Sequence, residues 1–337
     1  MKNRIKQINS ESGEFIGYTF EIKEEQDSLI QVVSFPGNKI KTQINNLNTI
    51  YSNIAPDYWG AWSIVNKLSE EAQIFPFIKS SDIEQYKLAG MDYKDYWLNQ
   101  IRRSIELSQI KIIPNGTWQM LYSESSKGDW KYQNNIVGQT ELKGQQQLNE
   151  VFKSENPIYS DFEIDNVPIA IKKTPFKESG RVKFWRKKVK EGTLPPIVLL
   201  HLSQLSNAII IDGHSRLKAS ILENVPPKLI ILYPTIEQEI KPDQIQADKR
   251  AEALLKQYGT NPNLKIEQMN QLLISFYDDR PWLVRRTTAK FNKDENQWNH
   301  EVKALIDELK LSDEIEKIEN EINEETGYNN VHGDHVC

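Results

Sequence analysis

The sequence predicts an α/β protein. A mixed sheet with covering helices fills its second half, beside a separate α+β domain over residues 1–150 and a helical extension beyond residue 240. Three observations carry that prediction. Between residues 166 and 233 short apolar runs (PPIVLL, AIIID, KLIILY) alternate with helix-like segments, as in a sheet layered against helices. Ile209, Ile210 and Ile211 form an unbroken apolar run, which reads as a strand buried on both faces. After residue 240 the chain turns charged and helical.

In chain order, residues 14–35 alternate well enough to predict a hairpin closed through residues 24–27 and ended by Pro36-Gly37. Ile40, Ile44, Leu47 and Ile50 have helical spacing, which predicts a helix over 39–51. A loop at 53–60 leads to Trp59 and Trp62, expected to pack where it meets the next helix. Ser81 and Glu84 have capping-box spacing before a helix that stops at Gly90, and a stronger helix is predicted over 92–107. Strands are expected at 111–113, 117–122 and 130–132. Residues 138–150 read as a polar connection or a surface helix and mark the domain boundary.

The second domain, 151–240, begins with a strand at 166–172, a loop at 173–180 and a basic helix over 182–191 ended by Gly192. Strands at 195–200 and 228–233 flank a strand, turn and helix over 208–223. The extension, 241–325, holds helices at 242–259, 265–278 and 298–323 around a basic run at 280–293; residues 326–337 read as a flexible tail.

A formal net charge of -5 gives no global pull toward nucleic acid, so contact with a polyanion has to come from a local patch. The only cysteine is Cys337, which excludes internal disulfides, a cysteine metal site and a core cysteine nucleophile. Residues 1–15 hold no signal-type apolar core and no run reaches membrane-spanning length, so a cytoplasmic protein without a membrane partner is expected.

The chemistry concentrates at residues 212–216, DGHSR. A strand, a glycine turn and a helix start bring unpaired backbone N–H groups and the positive end of a helix dipole to one point. Arg216 adds a full charge and a fork that grips phosphate oxygens in pairs, and His214 can donate, accept or carry a proton. Asp212 can orient Mg²⁺ or polarise a hydroxyl; its bland alternative is an Asx turn or N-cap. For Arg216 the bland alternative is a salt bridge to Asp212 or Glu223.

These residues resemble those of the ParB/sulfiredoxin-like family, which includes ParB N-terminal domains, sulfiredoxins and ADP-dependent free-serine kinases. The resemblance covers about residues 165–235 through VPIAIKKTPF, a helix ending in KEG, LPPIVLL, IIIDGHSRLKA and PPKLIILY. It implies a turn that holds nucleotide phosphates: Gly213 allows close approach, while Ser215 and Arg216 meet phosphate oxygens. His214 stands where sulfiredoxins have Cys and many ParB proteins have Glu, so sulfinic-acid chemistry lacks its nucleophile. The family layout turns Arg181 and Arg186 toward the site. The implied ligand is ATP, ADP or CTP, with Mg²⁺, and the implied reaction is phosphoryl transfer or nucleotide hydrolysis with His214 and Asp212 as catalytic groups. No motif places a further catalytic carboxylate; Asp212, Glu178 and Glu191 stay open as candidates.

Two rival readings accompany this one. Arg285 and Arg286, with Arg280, Lys290 and Trp282, compose an aromatic-basic surface suited to DNA in a regulatory or defence protein with a ParB-like nuclease-type domain. A non-catalytic partner of another protein, of toxin–immunity type, is the other. The basic helix, with Lys183, Lys187, Lys188 and Lys190, reads as a solvated face or a ligand surface. His332, Asp334, His335 and Cys337 resemble a metal set in composition alone.

Overall fold

The computed structural model describes residues 5–10, 13–22, 28–54, 61–72, 74, 78–107, 113, 115–124, 129–130, 142–143, 158–161, 168–173, 175–205, 207–238, 244–260, 266–277, 282–285, 287–313, 315–317 and 320. The chain divides into two compact units, Met1–Thr235 with Arg285–Cys337, and Ile236–Val284.

In the larger unit β1 (Lys6–Asn9) and β2 (Phe15–Ile22) pair with each other, whereas β3 (Ile30–Phe35) belongs to another sheet. The hairpin expected over 14–35 is therefore not formed, and its closing residues 24–27 lie outside the described residues. The helix expected over 39–51 is also corrected: β4 (Lys39–Ile44) and β5 (Leu47–Ile54) form a hairpin with Ile44 opposite Leu47. Asn45 and Asn46 close it at φ 54° and 60°. Two successive positive φ values make the type I′ turn whose twist suits paired strands, and Asn tolerates that conformation. β6 (Ala61–Val65) extends this sheet and carries the buried Trp62; Trp59 lies outside the described residues.

Two helices follow, α1 (Ser80–Ala89) and α2 (Tyr93–Leu107). The cap of α1 falls two residues earlier than Ser81 and Glu84 suggested: Asp82 accepts from the backbone N–H of Lys79 at 2.8 Å. Trp97, Leu98, Ile101 and Ile105 turn the apolar stripe of α2 into the core. Next come β7 (Gly116–Glu124), the two-residue strands β8 (Asp129–Trp130) and β9 (Leu142–Lys143), and β10 (Ile158–Asp161). Residues 144–150 lie outside the described residues.

The later segments match the predicted order: β11 (Ile169–Ala170), α3 (Gly180–Lys190), β12 (Ile197–Leu202), β13 (Asn207–Asp212), α4 (His214–Leu222) and β14 (Lys228–Gln238). One mixed sheet runs β1-β2-β7-β14-β12-β13-β11, with β12–β14 and β11–β13 parallel. Its central strands are buried on both faces. Ile209 and Ile211 join the α2 core, while Ile210 and Leu199 pack on the other side with Leu217 of α4.

The sheet runs across residue 150, where the sequence places a domain boundary. β7 pairs with β14 from Thr117–Thr235 to Glu124–Lys228, so residues of the first half complete the layer that holds the site. The extension expected over 241–325 also divides. The smaller unit contains α5 (Gln244–Thr260) and α6 (Ile266–Phe276), with Tyr277 donating to Asp248 at 2.8 Å; it ends at Val284, within β15 (Trp282–Arg285). After β16 (Lys290–Phe291), α7 (Glu295–Leu309) belongs to the larger unit. There Trp298, Val302 and Leu305 pack with Phe35, Tyr51 and Trp62, and Trp298 Nε1 donates to the Ile40 carbonyl at 3.1 Å. The long helix expected over 298–323 breaks at Lys310, in left-handed conformation at φ 57°. Among the described residues no helix is long and apolar enough to cross a membrane.

Candidate functional site

β13 ends in a bulge. Val198 faces Asp212 but Leu199 faces Ile210, so Ile211 is the extra residue. Bulges redirect the chain where a strand must hand over to a functional turn. Gly213 then takes φ 105°, closed to most side chains, and α4 starts at His214. The first backbone N–H groups of a helix have no partner within it, so those of His214, Ser215 and Arg216 converge at the mouth of α4.

The turn opens into a recess lined by Glu70, Lys172, Lys173, Arg181, Trp185 and residues 212–216. Its cavity volume is small, about 20 Å³, a little more than the ~10–15 Å³ one water needs. Four cationic side chains (Lys172, Lys173, Arg181, Arg216) face two carboxylates (Glu70, Asp212), an excess of positive charge at a helix N-terminus.

Arg216 is almost fully buried. Its Nη2 donates to Oδ2 of Asp212 at 2.9 Å, and its guanidinium lies 5.5 Å from the ring centre of Trp185. The pairing with Asp212 was the bland alternative for Arg216, and it holds here inside the protein. Nε of Arg216 is buried with no hydrogen-bond partner. His214 is 5% exposed, and its Nε2 is likewise buried without a partner. Burial, and then the positive charge of Lys172, Arg216, Lys67 and Arg181, holds its pKa well below the usual imidazole range, so the ring is neutral at pH 7.

Sequence reasoning missed Glu70, Lys172, Lys173 and Trp185. Leu68 bridges to Lys172, with the Leu68 N–H donating to the Ile171 carbonyl at 2.9 Å and the Lys173 N–H to the Leu68 carbonyl at 3.0 Å. That contact lays residues 67–71 beside the site. Lys172 Nζ donates to the Glu70 carbonyl at 3.2 Å, and burial pulls its pKa down against the opposing pull of Asp212. A lysine ending an apolar strand was the available signal.

Of the predicted phosphate ligands, Gly213, His214, Ser215, Arg216 and the exposed Arg181 line the recess. Arg186 does not: it pairs through Nε with Glu223, because the buried face of α3 is Val182, Trp185, Lys188 and Val189. Glu178 pairs with Lys183 at 3.1 Å and Glu191 with Lys188 at 2.8 Å, and neither lines the recess. The basic face of α3 is thus neutralised by its own neighbours, Lys190–Glu223 at 3.3 Å included. Arg285 ends β15; its side chain, Arg286 and the set His332, Asp334, His335 and Cys337 lie outside the described residues.

Among the described residues no group of three or more His, Cys, Asp or Glu side chains is placed to hold a metal ion. With Asp212 engaged by Arg216 amid surplus positive charge, the recess does not fit a protein-held Mg²⁺ site. No family model, curated protein or solved structure matches the chain.

Proposed function

We propose that this chain is a cytosolic nucleotide-binding protein of ParB/sulfiredoxin-like type, and that a phosphate of the nucleotide enters the recess at residues 212–216. The observation that carries the reading is a pair of buried, partnerless nitrogens, His214 Nε2 and Arg216 Nε, in a recess of excess positive charge. A buried polar atom without a partner is costly, and phosphate oxygens are what this set of donors and charges would accept. The parallel pairing of β12 with β14 and the glycine turn before α4 support the family resemblance.

In this reading Lys172, Lys173 and Arg181 neutralise the phosphate, and the amides of α4 hold its oxygens. Arg216 serves from behind, fixed by Asp212. His214 is neutral, so while one ring nitrogen donates to the phosphate the other can accept a proton from an attacking hydroxyl or water, which gives phosphoryl transfer or nucleotide hydrolysis as the reaction class.

A thermal-shift panel of ATP, ADP, CTP and GTP, with and without Mg²⁺, tests the reading. Ligand at a hundred times its Kd adds about 2.7 kcal/mol of stability. The wild type should be stabilised by at least one nucleotide, and Arg181→Gln should reduce the shift; no shift with any nucleotide would end the reading.

A further inference from the structure

The recess, with a cavity volume of about 20 Å³, has room for little beyond the end of one phosphoryl group. Whatever else the ligand carries must lie outside the mouth. Two residues of the lining are Lys173, in the segment between β11 and α3, and Arg181, in the first turn of α3, and the described residues 175–180 lie between them in the chain.

Phe176 sits in that loop with 66% of its surface exposed, the most of any aromatic among the exposed large hydrophobics of the described residues. It is three residues from Lys173, at most about 11 Å of extended chain. The loop is held in shape. The Ser179 N–H donates to the Phe176 carbonyl at 3.0 Å, and Ser179 Oγ accepts from the Val182 N–H at 3.2 Å to cap α3. A large exposed apolar ring within so short a stretch of chain from a cationic recess is suited to a flat ligand face.

We propose that Phe176 is the platform on which the base of a nucleotide stacks when its terminal phosphate enters the recess end-on. This rests on the nucleotide reading above and adds what recognises the other end of the ligand. Stacking tolerates any base, so selectivity among bases through Phe176 is weak, and the sugar bridges ring and recess.

Calorimetric titration of the full chain with ATP and with tripolyphosphate separates the two ideas, because tripolyphosphate has the charge without the base. Phe176→Ala should weaken ATP about 5- to 150-fold and leave tripolyphosphate unchanged, while Phe176→Trp restores ATP binding. Three results would overturn the platform alone: an equal loss for both ligands, no loss for ATP, or a wild type that binds tripolyphosphate as tightly as ATP. A wild type that binds neither would overturn the recess reading and the platform with it. Phe176 is exposed, so an unchanged melting temperature of Phe176→Ala shows that the comparison is between folded proteins.

Discussion

Arg216 reaches back one helical turn to Asp212, and their 2.9 Å contact is shut away from solvent, the side chains being 2% and 5% exposed. The pair joins the last residue of β13 to the first turn of α4 across the glycine between them. It fixes the guanidinium so that Nη2 serves the fold while Nε stays buried without a partner.

Removing one member of this pair strands the other. A phosphate ligand at the surface could be removed without cost to the fold; Arg216 is buried and paired, so its removal is felt there. Arg216→Ala should cost about 3–5 kcal/mol of stability, and the double change Arg216→Met with Asp212→Leu should recover much of it. Urea unfolding of the three proteins measures this, and a single variant as stable as wild type would contradict the pairing.

Gly213 answers to a different constraint. A Cβ there would stand 3.0 Å from Arg216 Nη2, 3.2 Å from Arg216 Nε and 3.2 Å from the Ile197 Cα, on backbone at φ 105°. Gly213→Ala should therefore destabilise by at least about 1–2 kcal/mol, read as a lowered urea midpoint with unchanged slope.

Lys172 separates folding from binding. Burial lowers its pKa, so the charge is held at a cost. Lys172→Met keeps the stem and discards the charge. It should leave the melting temperature within a few degrees of wild type, while ATP affinity falls about tenfold or more. If affinity stays while stability collapses, Lys172 is structural.

His214 gives stability a definite pH dependence. Its folded pKa lies below the unfolded value near 6.5, so between the two the unfolded chain binds the proton and the folded chain does not. The contribution is intact above about pH 6.5 and is lost as pH falls toward the depressed folded value. Unfolding free energies measured from pH 7.5 downward should fall in the wild type and fall less in His214→Asn. Parallel profiles would contradict a buried neutral ring.

Much of the site was legible because its signals are local. The run Ile209–Ile211, the glycine and the polar helix start sit within one short string, and strand, turn and helix followed. Ile40, Ile44, Leu47 and Ile50 suit a helix face by spacing, yet two strands about the Asn45-Asn46 turn bury Ile40, Ile44 and Ile50 and leave Leu47 exposed, and the turn decided. Lys172 comes to the site through the contact between residues 68 and 172, which no local pattern encodes. Arg186 was misplaced by one position on the helical wheel: Trp185 faces inward beneath Arg216, and its neighbour turns to Glu223.

The eight-residue ladder between β7 and β14 has a practical meaning for anyone wishing to isolate the ligand-binding part. A fragment cut at residues 151–240 would leave the backbone of β14 bare along one side, with Leu229, Ile230, Ile231, Leu232 and Tyr233 offered to any passing strand. Such an edge invites self-association. The excised piece should collect in inclusion bodies, whereas a version that supplies Gly116–Glu124 as a covalently tethered strand should be recovered in better yield.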